Sequence, residues 1–126
     1  MMVLCDTNVL IENYRNNPVI TAILDAIGEA NIAVSDVTRA ELYFGARNKA
    51  ELQMIRKTLD ELYQYPVQQD ISQTAITLME RYTLSHKLDW EDALIAATAI
   101  RREAELFTLN KKDFVFIPEL KFYESR

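Results

Sequence analysis

The residues best placed to do chemistry in this chain are carboxylates that follow predicted strands. Met2–Cys5 is a short apolar run without polar alternation, a pattern typical of a strand buried on both faces within a parallel sheet. Asp6 follows this run directly, and an apolar helical segment begins after it. Because ligands of open α/β sheets collect outside the carboxyl ends of the strands, Asp6 is a candidate site residue. The alternative is that Asp6 or Thr7 only caps the following helix.

Two further acidic residues are predicted to approach the same edge of the sheet. Asp92 lies in the first turn of a helix for which Asp89 is a suitable N-cap. Asp113 lies on the turn that follows a predicted strand at Leu106–Thr108. In right-handed β-α-β units a helix begins near the carboxyl edge of the preceding strand, so Asp92 and Asp113 should share a crevice with Asp6.

Glu41 is predicted to lie farther from this sheet edge than the other three carboxylates. Its helix is predicted to begin at Ser35, which places Glu41 about 9 Å along the helix axis from that end. Ionised carboxylates gathered in one crevice repel one another and require compensating cations unless they are protonated. Hard oxygen ligands without a nearby histidine or cysteine suit Mg²⁺ or Mn²⁺ rather than zinc.

Several polar residues are placed to support such a site by hydrogen bonding to the carboxylates or to metal-bound water. Each of them could equally be a helix cap or a turn residue. The lone histidine, His86, lies near a predicted helix end and is expected to be solvated or to cap that helix. The supporting candidates are Ser35, Thr38, Thr108 and Asn110.

Composition restricts the class of protein. A chain of 126 residues that is 49% hydrophobic predicts one domain over residues 1–126. A net charge of −5 argues against nucleic-acid binding through a general basic surface.

The single cysteine, Cys5, excludes an internal disulfide and suits a reducing cytoplasm, where we expect the protein. No uncharged run approaches the about 18 residues of a membrane span, and Asp6 interrupts the only stretch resembling a signal peptide.

Strands and helices alternate along the chain, which predicts an α/β fold: a three-layer α/β/α sandwich with a central, mostly parallel sheet of four to five strands. Strands are predicted at Met2–Cys5, Asn31–Val34, Pro66–Val67 and Leu106–Thr108, with a strand-like tail at Phe114–Phe116 and Leu120–Tyr123. Helices are predicted at Val9–Tyr14, Pro18–Ile27, Ser35 to Gly45, Lys49–Tyr63, from Asp70 or Ser72 to Leu84, and Trp90–Glu103.

Four short motifs together resemble the ordered motifs of PIN-domain ribonucleases. They are Asp6–Ile11, Ser35–Leu42, Asp92–Ala99 and Thr108–Phe114, and they span nearly the whole chain. Each motif alone occurs by chance, but four in the right order at matching separations form a specific signal. The likeness is strongest to the VapC-type toxins of bacterial and archaeal type II toxin–antitoxin modules.

The resemblance implies a PIN-like sandwich and assigns roles to individual residues. Asp6, Glu41 and Asp92 match the acidic metal ligands of the family, and Asp113 matches a fourth. Thr7 and Asn8 would support the site beside the other polar residues. The chain departs from the family where Glu91 replaces a common proline, and where Asn110 stands at a position that is acidic in some relatives. Either Asn110 or Asp113 would therefore complete the metal site.

The implied activity is hydrolysis of RNA phosphodiester bonds by metal-activated water, with Mg²⁺ or Mn²⁺ as cofactor. The resemblance also implies a homodimer, possibly within a larger toxin–antitoxin complex, and an antitoxin that places an apolar segment in a groove. The apolar faces of Pro18–Ile27 and Lys49–Tyr63 are candidate groove walls. Basic residues that could guide the RNA backbone are Arg39, Arg47, Lys49, Arg101, Arg102, Lys111 and Lys112.

Two other functions compete with the nuclease. A PIN-like domain without catalysis could act only through protein partners, although the complete acidic set argues against this. A phosphatase-like domain could use Asp6 as a nucleophile. Asn8 argues against that alternative, because haloacid-dehalogenase-type phosphatases carry a second aspartate at the corresponding place.

Overall fold

A four-stranded parallel sheet forms the centre of the protein. The computed structural model describes residues 1–124. The strand order is β3-β2-β1-β4, and every neighbouring pair is parallel. The two inner strands are buried along their whole length, which explains why their sequences show no polar alternation. The strands are β1 (Val3–Cys5), β2 (Ile32–Ser35), β3 (Tyr63–Tyr65) and β4 (Glu105–Phe107).

Helices cover both faces of the sheet. On one face, Leu4, Ala33 and Leu106 pack in a cluster with residues of the last two helices. On the other face, Val3 and Val34 pack with residues of the first four helices. The predicted α/β/α sandwich is therefore confirmed. The helices are α1 (Thr7–Tyr14), α2 (Pro18–Ile27), α3 (Asp36–Phe44), α4 (Lys49–Asp60), α5 (Gln69–His86) and α6 (Trp90–Arg101).

Several helices begin where the sequence predicts, because N-cap residues or a proline mark their first turns. The Ser35 hydroxyl accepts a hydrogen bond from the Thr38 N–H, and the Asp89 carboxylate accepts one from the Asp92 N–H. Asp6, rather than Thr7, is the N-cap of α1. Pro18 is the first residue of α2, where its missing N–H costs nothing.

The third strand lies earlier than predicted. The helix expected to reach Tyr63 ends at Asp60, and the strand expected at Pro66–Val67 is Tyr63–Tyr65. Tyr63–Tyr65 pairs with β2 instead of continuing the helix, and Pro66 has no N–H with which to extend the ladder. The helical spacing of apolar residues continued past the end of α4 and gave the wrong boundary.

The start of α5 and the C-terminal tail also differ from the predictions. The N-cap of α5 is Gln68, without a side-chain hydrogen bond, so neither Asp70 nor Ser72 caps this helix. Asp70 instead forms a two-pronged ion pair with Arg102, at 2.7 and 3.0 Å. The tail forms no strand among the described residues. It contributes a single bridge between Phe122 and Leu106.

A short turn of 3₁₀ helix, Lys111–Asp113, follows β4 at the carboxyl edge of the sheet. It corresponds to the predicted turn that carries Asp113. No helix in residues 1–124 is both long enough and apolar enough to cross a membrane.

The packing of α6 depends on small side chains. Ala93, Ala96, Ala97 and Ala99 are almost completely buried and belong to the cluster that also contains residues of α5 and of the sheet. We expect Ala96→Leu to lower the free energy of unfolding by about 1–3 kcal/mol, because the added atoms must displace close-packed neighbours. Urea denaturation measures this loss.

The control for this prediction is Ala50→Leu, because Ala50 is exposed on α4. That substitution should change the free energy of unfolding by less than about 0.5 kcal/mol. Equal effects of the two substitutions would contradict the close packing of α6.

Candidate metal centre

Asp6 is fixed at the end of β1 by hydrogen bonds to both carboxylate oxygens. The Thr7 N–H donates to Oδ1 and the Thr108 hydroxyl donates to Oδ2, each at 2.8 Å. Asp6 is only 7% exposed. Burial raises the pKa of Asp6, while the bonds from Thr108 and Thr7 oppose this shift. The carboxylate is thus held in one orientation at an edge where its charge is poorly solvated.

The loop after β4 is tied to the start of α1 through Asn8 and Thr108. The Asn8 side chain accepts a bond from the Leu109 N–H at 3.2 Å and donates to the Thr108 hydroxyl at 3.5 Å. The same hydroxyl accepts from the Asn110 N–H at 3.1 Å. Thr108 therefore connects Asp6 to the loop that leads to Asp113.

Glu41 is held toward this edge by Thr7. The Thr7 hydroxyl donates to Glu41 Oε1 at 2.8 Å, and the Thr7 and Thr38 hydroxyls share a hydrogen bond of 3.1 Å. Thr38 is completely buried, as is Ser35, which caps α3. These contacts show how a residue several positions into α3 is joined to the α1 start. Burial raises the pKa of Glu41, and the charges of Glu91, Asp6 and Asp89 raise it further.

Asp92 is the most strongly perturbed acid of the cluster. Burial, followed by the charges of Asp89, Asp6, Asp113 and Glu41, raises its pKa to about 7. The influence of acids from four separate segments means that the fold brings Asp6, Glu41, Asp92 and Asp113 within electrostatic range of one another. Asp113 acts on both Asp6 and Asp92.

Asp89 and Glu91 also act on these carboxylates, although the sequence predicts Asp89 only as a cap, which it is, and Glu91 only as a departure from the family pattern. The available signal was the presence of three acids within four residues at one helix start. Asn110 contacts Thr108 through its backbone, whereas the charge of Asp113 reaches the other carboxylates.

The donor set fits a hard divalent cation. Burial and neighbouring carboxylates raise the pKa values of Asp6, Glu41 and Asp92, which is the electrostatic arrangement that a cation would relieve. As they stand, no three acidic, histidine or cysteine side chains in residues 1–124 are close enough to enclose an ion. Burial, together with the charge of Asp6, raises the pKa of Cys5 to about 12, so the thiol is neutral in the metal-free protein.

The class of protein to which this chain belongs follows from its match to a family model. The family model described as PIN domain matches residues 3–119, so this chain is a PIN domain. It is 35% identical to Ribonuclease VapC19 of Mycobacterium tuberculosis over 95% of this chain and 98% of that protein. The chain therefore belongs to the VapC ribonucleases within the PIN-domain family.

Solved structures agree with this assignment. A toxin–antitoxin complex from Klebsiella pneumoniae contains a chain that is 32% identical, with a TM-score of 0.81 and coverage of 98% of this chain and 99% of that one. VapBC2 from Rickettsia felis, bound to a DNA fragment from its promoter, contains a chain that is 26% identical, with a TM-score of 0.77 and coverage of 98% of both chains.

The raised pKa of Asp92 predicts how the stability of the metal-free protein depends on pH. The folded protein retains a proton on Asp92 up to about pH 7, whereas the unfolded chain loses it near 3.8. Protons therefore favour folding, and the free energy of unfolding should fall as the pH rises through this interval and level off above it. Thermal melts from pH 5 to pH 8 measure this dependence.

Asp92→Asn should flatten this pH dependence and raise the melting temperature at pH 8, because it removes one of the repelling charges. Asp25→Asn, at an exposed position of α2, serves as the control and should retain the wild-type slope. Parallel curves for the wild type and Asp92→Asn would show that repulsion around Asp92 is unimportant.

Proposed function

We propose that this protein is a divalent-metal-dependent endoribonuclease that acts as the toxin of a toxin–antitoxin pair. The observation that carries the proposal is the gathering of Asp6, Glu41, Asp92 and Asp113 at one edge of a VapC-type fold, where burial and neighbouring acids raise the pKa values of the first three. Membership in the VapC ribonucleases supports RNA as the substrate. We therefore also propose that the protein acts in the cytoplasm, where it would encounter RNA.

In this proposal, Asp6, Glu41, Asp92 and Asp113 hold Mg²⁺ or Mn²⁺. The bound metal would lower the pKa of a coordinated water and stabilise the charge that develops on the phosphate. Thr7 donates to Glu41, and Thr108 donates to Asp6, so both hydroxyls hold carboxylate lone pairs in fixed directions. Asp92 must lose its proton before it can bind a cation, so metal affinity should fall below about pH 7.

Replacing Asp6 tests the nuclease. Purified protein should cleave RNA in the presence of Mn²⁺ or Mg²⁺, and cleavage should stop when EDTA removes the metal.

Thr108→Val removes the hydrogen bond to Asp6 and should lower kcat/KM by about 10–100-fold, the range for residues that orient metal ligands. Asp6→Asn should lower it further. Gel analysis of the RNA products provides the rates.

Asp60→Asn is the matched control, because Asp60 is exposed at the end of α4, outside the acidic cluster. It should cleave RNA like the wild type. If Asp6→Asn retains full activity, the assignment of the metal centre fails. If the wild type neither cleaves RNA nor binds Mn²⁺ in calorimetry, the catalytically silent PIN-like domain becomes the better description.

We propose that the antitoxin occupies a cavity of about 510 Å³ beside the metal centre. The Klebsiella and Rickettsia structures contain toxins with their antitoxins, which supports such a partner. The cavity lies between α1, α3 and α4, has Ile11, Leu42 and Ile55 among its lining residues, and extends to Glu41. An apolar segment could fill it and direct a basic side chain toward the acids. Of the two predicted groove walls, only the one on α4 lines this cavity.

Met54 allows a test of the antitoxin site, because it lines the cavity and is 57% exposed. Met54→Glu should leave the fold and RNA cleavage intact but weaken antitoxin binding at least about tenfold, because a charge would be buried against an apolar segment. Calorimetric titration with the protein encoded next to this gene measures the affinity.

Leu84→Glu is the control, since Leu84 is 97% exposed on α5 and does not line the cavity. Unchanged affinity in Met54→Glu would place the antitoxin elsewhere. The VapC resemblance also leads us to propose a homodimer, and sedimentation velocity would measure this oligomeric state.

A further inference from the structure

A second cavity, of about 240 Å³, adjoins the acidic cluster and shares no lining residue with the cavity proposed for the antitoxin. It lies between the end of α5, the first turn of α6 and the Lys111–Asp113 turn. Asp92 and Asp113 form part of its wall, so whatever enters it reaches the proposed metal centre. Its volume is below the about 300 Å³ at which pockets for drug-sized ligands begin, which suits one planar group better than a larger ligand.

Two aromatic rings form another part of this wall. His86 and Phe116 are stacked, with ring centroids 4.1 Å apart and ring planes 16° apart. Tyr82 lies edge-on to both, at 5.8 Å from His86 and 5.0 Å from Phe116. Phe116 packs against the core, whereas His86 is exposed. The packing therefore holds a flat, accessible aromatic surface of the kind on which nucleic-acid bases stack.

Lys87 and Lys112 supply positive charge at the same cavity. Within residues 1–124 neither lysine forms an ion pair. The basic residues that line the first cavity differ in this respect, because Arg15 is paired with Glu12 and Arg47 with Glu51. Cations free to contact phosphate thus border the metal centre on the side of the aromatic wall.

The backbone of Lys87 makes this residue an informative one to replace. It caps the C-terminus of α5 in the left-handed conformation, with φ 54° and ψ 37°. Glycine is preferred at such positions because it has no Cβ to oppose this conformation. Lys87→Gly removes the charge without creating backbone strain, so a loss of binding in this variant would not reflect misfolding.

We propose that this cavity is the subsite for a nucleotide next to the cleaved phosphate. The base packs on the His86–Phe116 wall, and Lys87 and Lys112 contact the adjoining phosphates. This proposal rests on the proposed function, because it assumes an RNA strand at the metal centre. It also accounts for how a chain with a net charge of −5 can hold a polyanion locally.

Binding is measured by fluorescence anisotropy with a fluorescein-labelled single-stranded RNA of randomised sequence, with Ca²⁺ in place of Mn²⁺ to prevent cleavage. His86→Ala, Lys87→Gly and Lys112→Ala should each raise Kd, and His86→Ala by about fivefold or more, the lower end of the contribution of one stacked base. His86→Phe should retain most of the affinity, since it preserves an aromatic face.

The controls match the substitutions in charge and in backbone. Lys57→Ala removes an exposed lysine on α4. Glu103→Gly replaces another residue with φ 54°, just beyond the end of α6. Neither should raise Kd. Thermal melts should show Lys87→Gly to be at least as stable as the wild type.

An abasic substrate separates stacking from a structural effect. In a single RNA oligonucleotide whose cut site has first been mapped, removal of the base beside that site should weaken binding to the wild type but cause little further loss in His86→Ala. Unchanged Kd values in the three cavity variants would overturn the subsite, as would equal abasic penalties in both proteins. If the variants instead weaken only antitoxin binding, the cavity receives protein and the proposal is wrong. Altered Kd values in a protein that cleaves no RNA would support the subsite and refute the proposed nuclease.

Discussion

The burial of carboxylates beside one another at one sheet edge is the constraint around which this protein is built. Asp6 is nearly buried, and burial together with four neighbouring acids raises the pKa of Asp92 to about 7. Charges in such surroundings oppose folding unless protons or cations compensate them. An arrangement optimised for stability alone would place these acids apart in solvent. Their convergence is the strongest physical reason to assign a cation to this edge.

The scaffold tolerates this repulsion because the acids are held individually and because the core is continuous beneath them. Each of Asp6, Glu41 and Asp92 is tied to a helix start, either by its own carboxylate or by its N–H. The alanines of α6 are almost fully buried in the cluster that includes residues of the sheet. Asp92 therefore lies in the first turn of a closely packed helix. Hydrophobic burial on both faces of the sheet supplies the stability that the acidic edge opposes.

Features of the fold that depend on local chemistry could be predicted from the sequence, whereas those that depend on distant partners could not. The buried strands and the caps Ser35 and Asp89 belong to the first group, because their signals lie within a few residues. The strand Tyr63–Tyr65 belongs to the second, because it is defined by pairing with β2. Asp70 likewise resembled a cap but bonds to Arg102, 32 residues away.

The same distinction applies to the site. The spacing of Asp6, Asp92 and Asp113 around strand ends was enough to predict a common edge, because parallel β-α-β topology fixes which ends of strands and helices meet. The reach of Glu41 depends on the Thr7 hydroxyl, from a different helix, which no local pattern indicates. The contribution of Asp89 and Glu91 to the charge was missed because capping and family comparison had already explained these residues.

Ion pairing and position relative to the acidic cluster, rather than the number of basic residues, decide where an acidic protein can approach RNA. Of the basic residues considered from sequence, Arg39, Arg47, Arg101, Arg102 and Lys111 are engaged with acids of the same chain. Lys49 and Lys112 are not so engaged within residues 1–124, and neither is Lys87, whose position depends on where α5 ends. Lys87 and Lys112 lie beside the acids, where they line the second cavity, whereas Lys49 is the first residue of α4. A polyanion drawn to Lys87 and Lys112 would be brought directly against the proposed metal centre, and elsewhere the net negative charge would repel it.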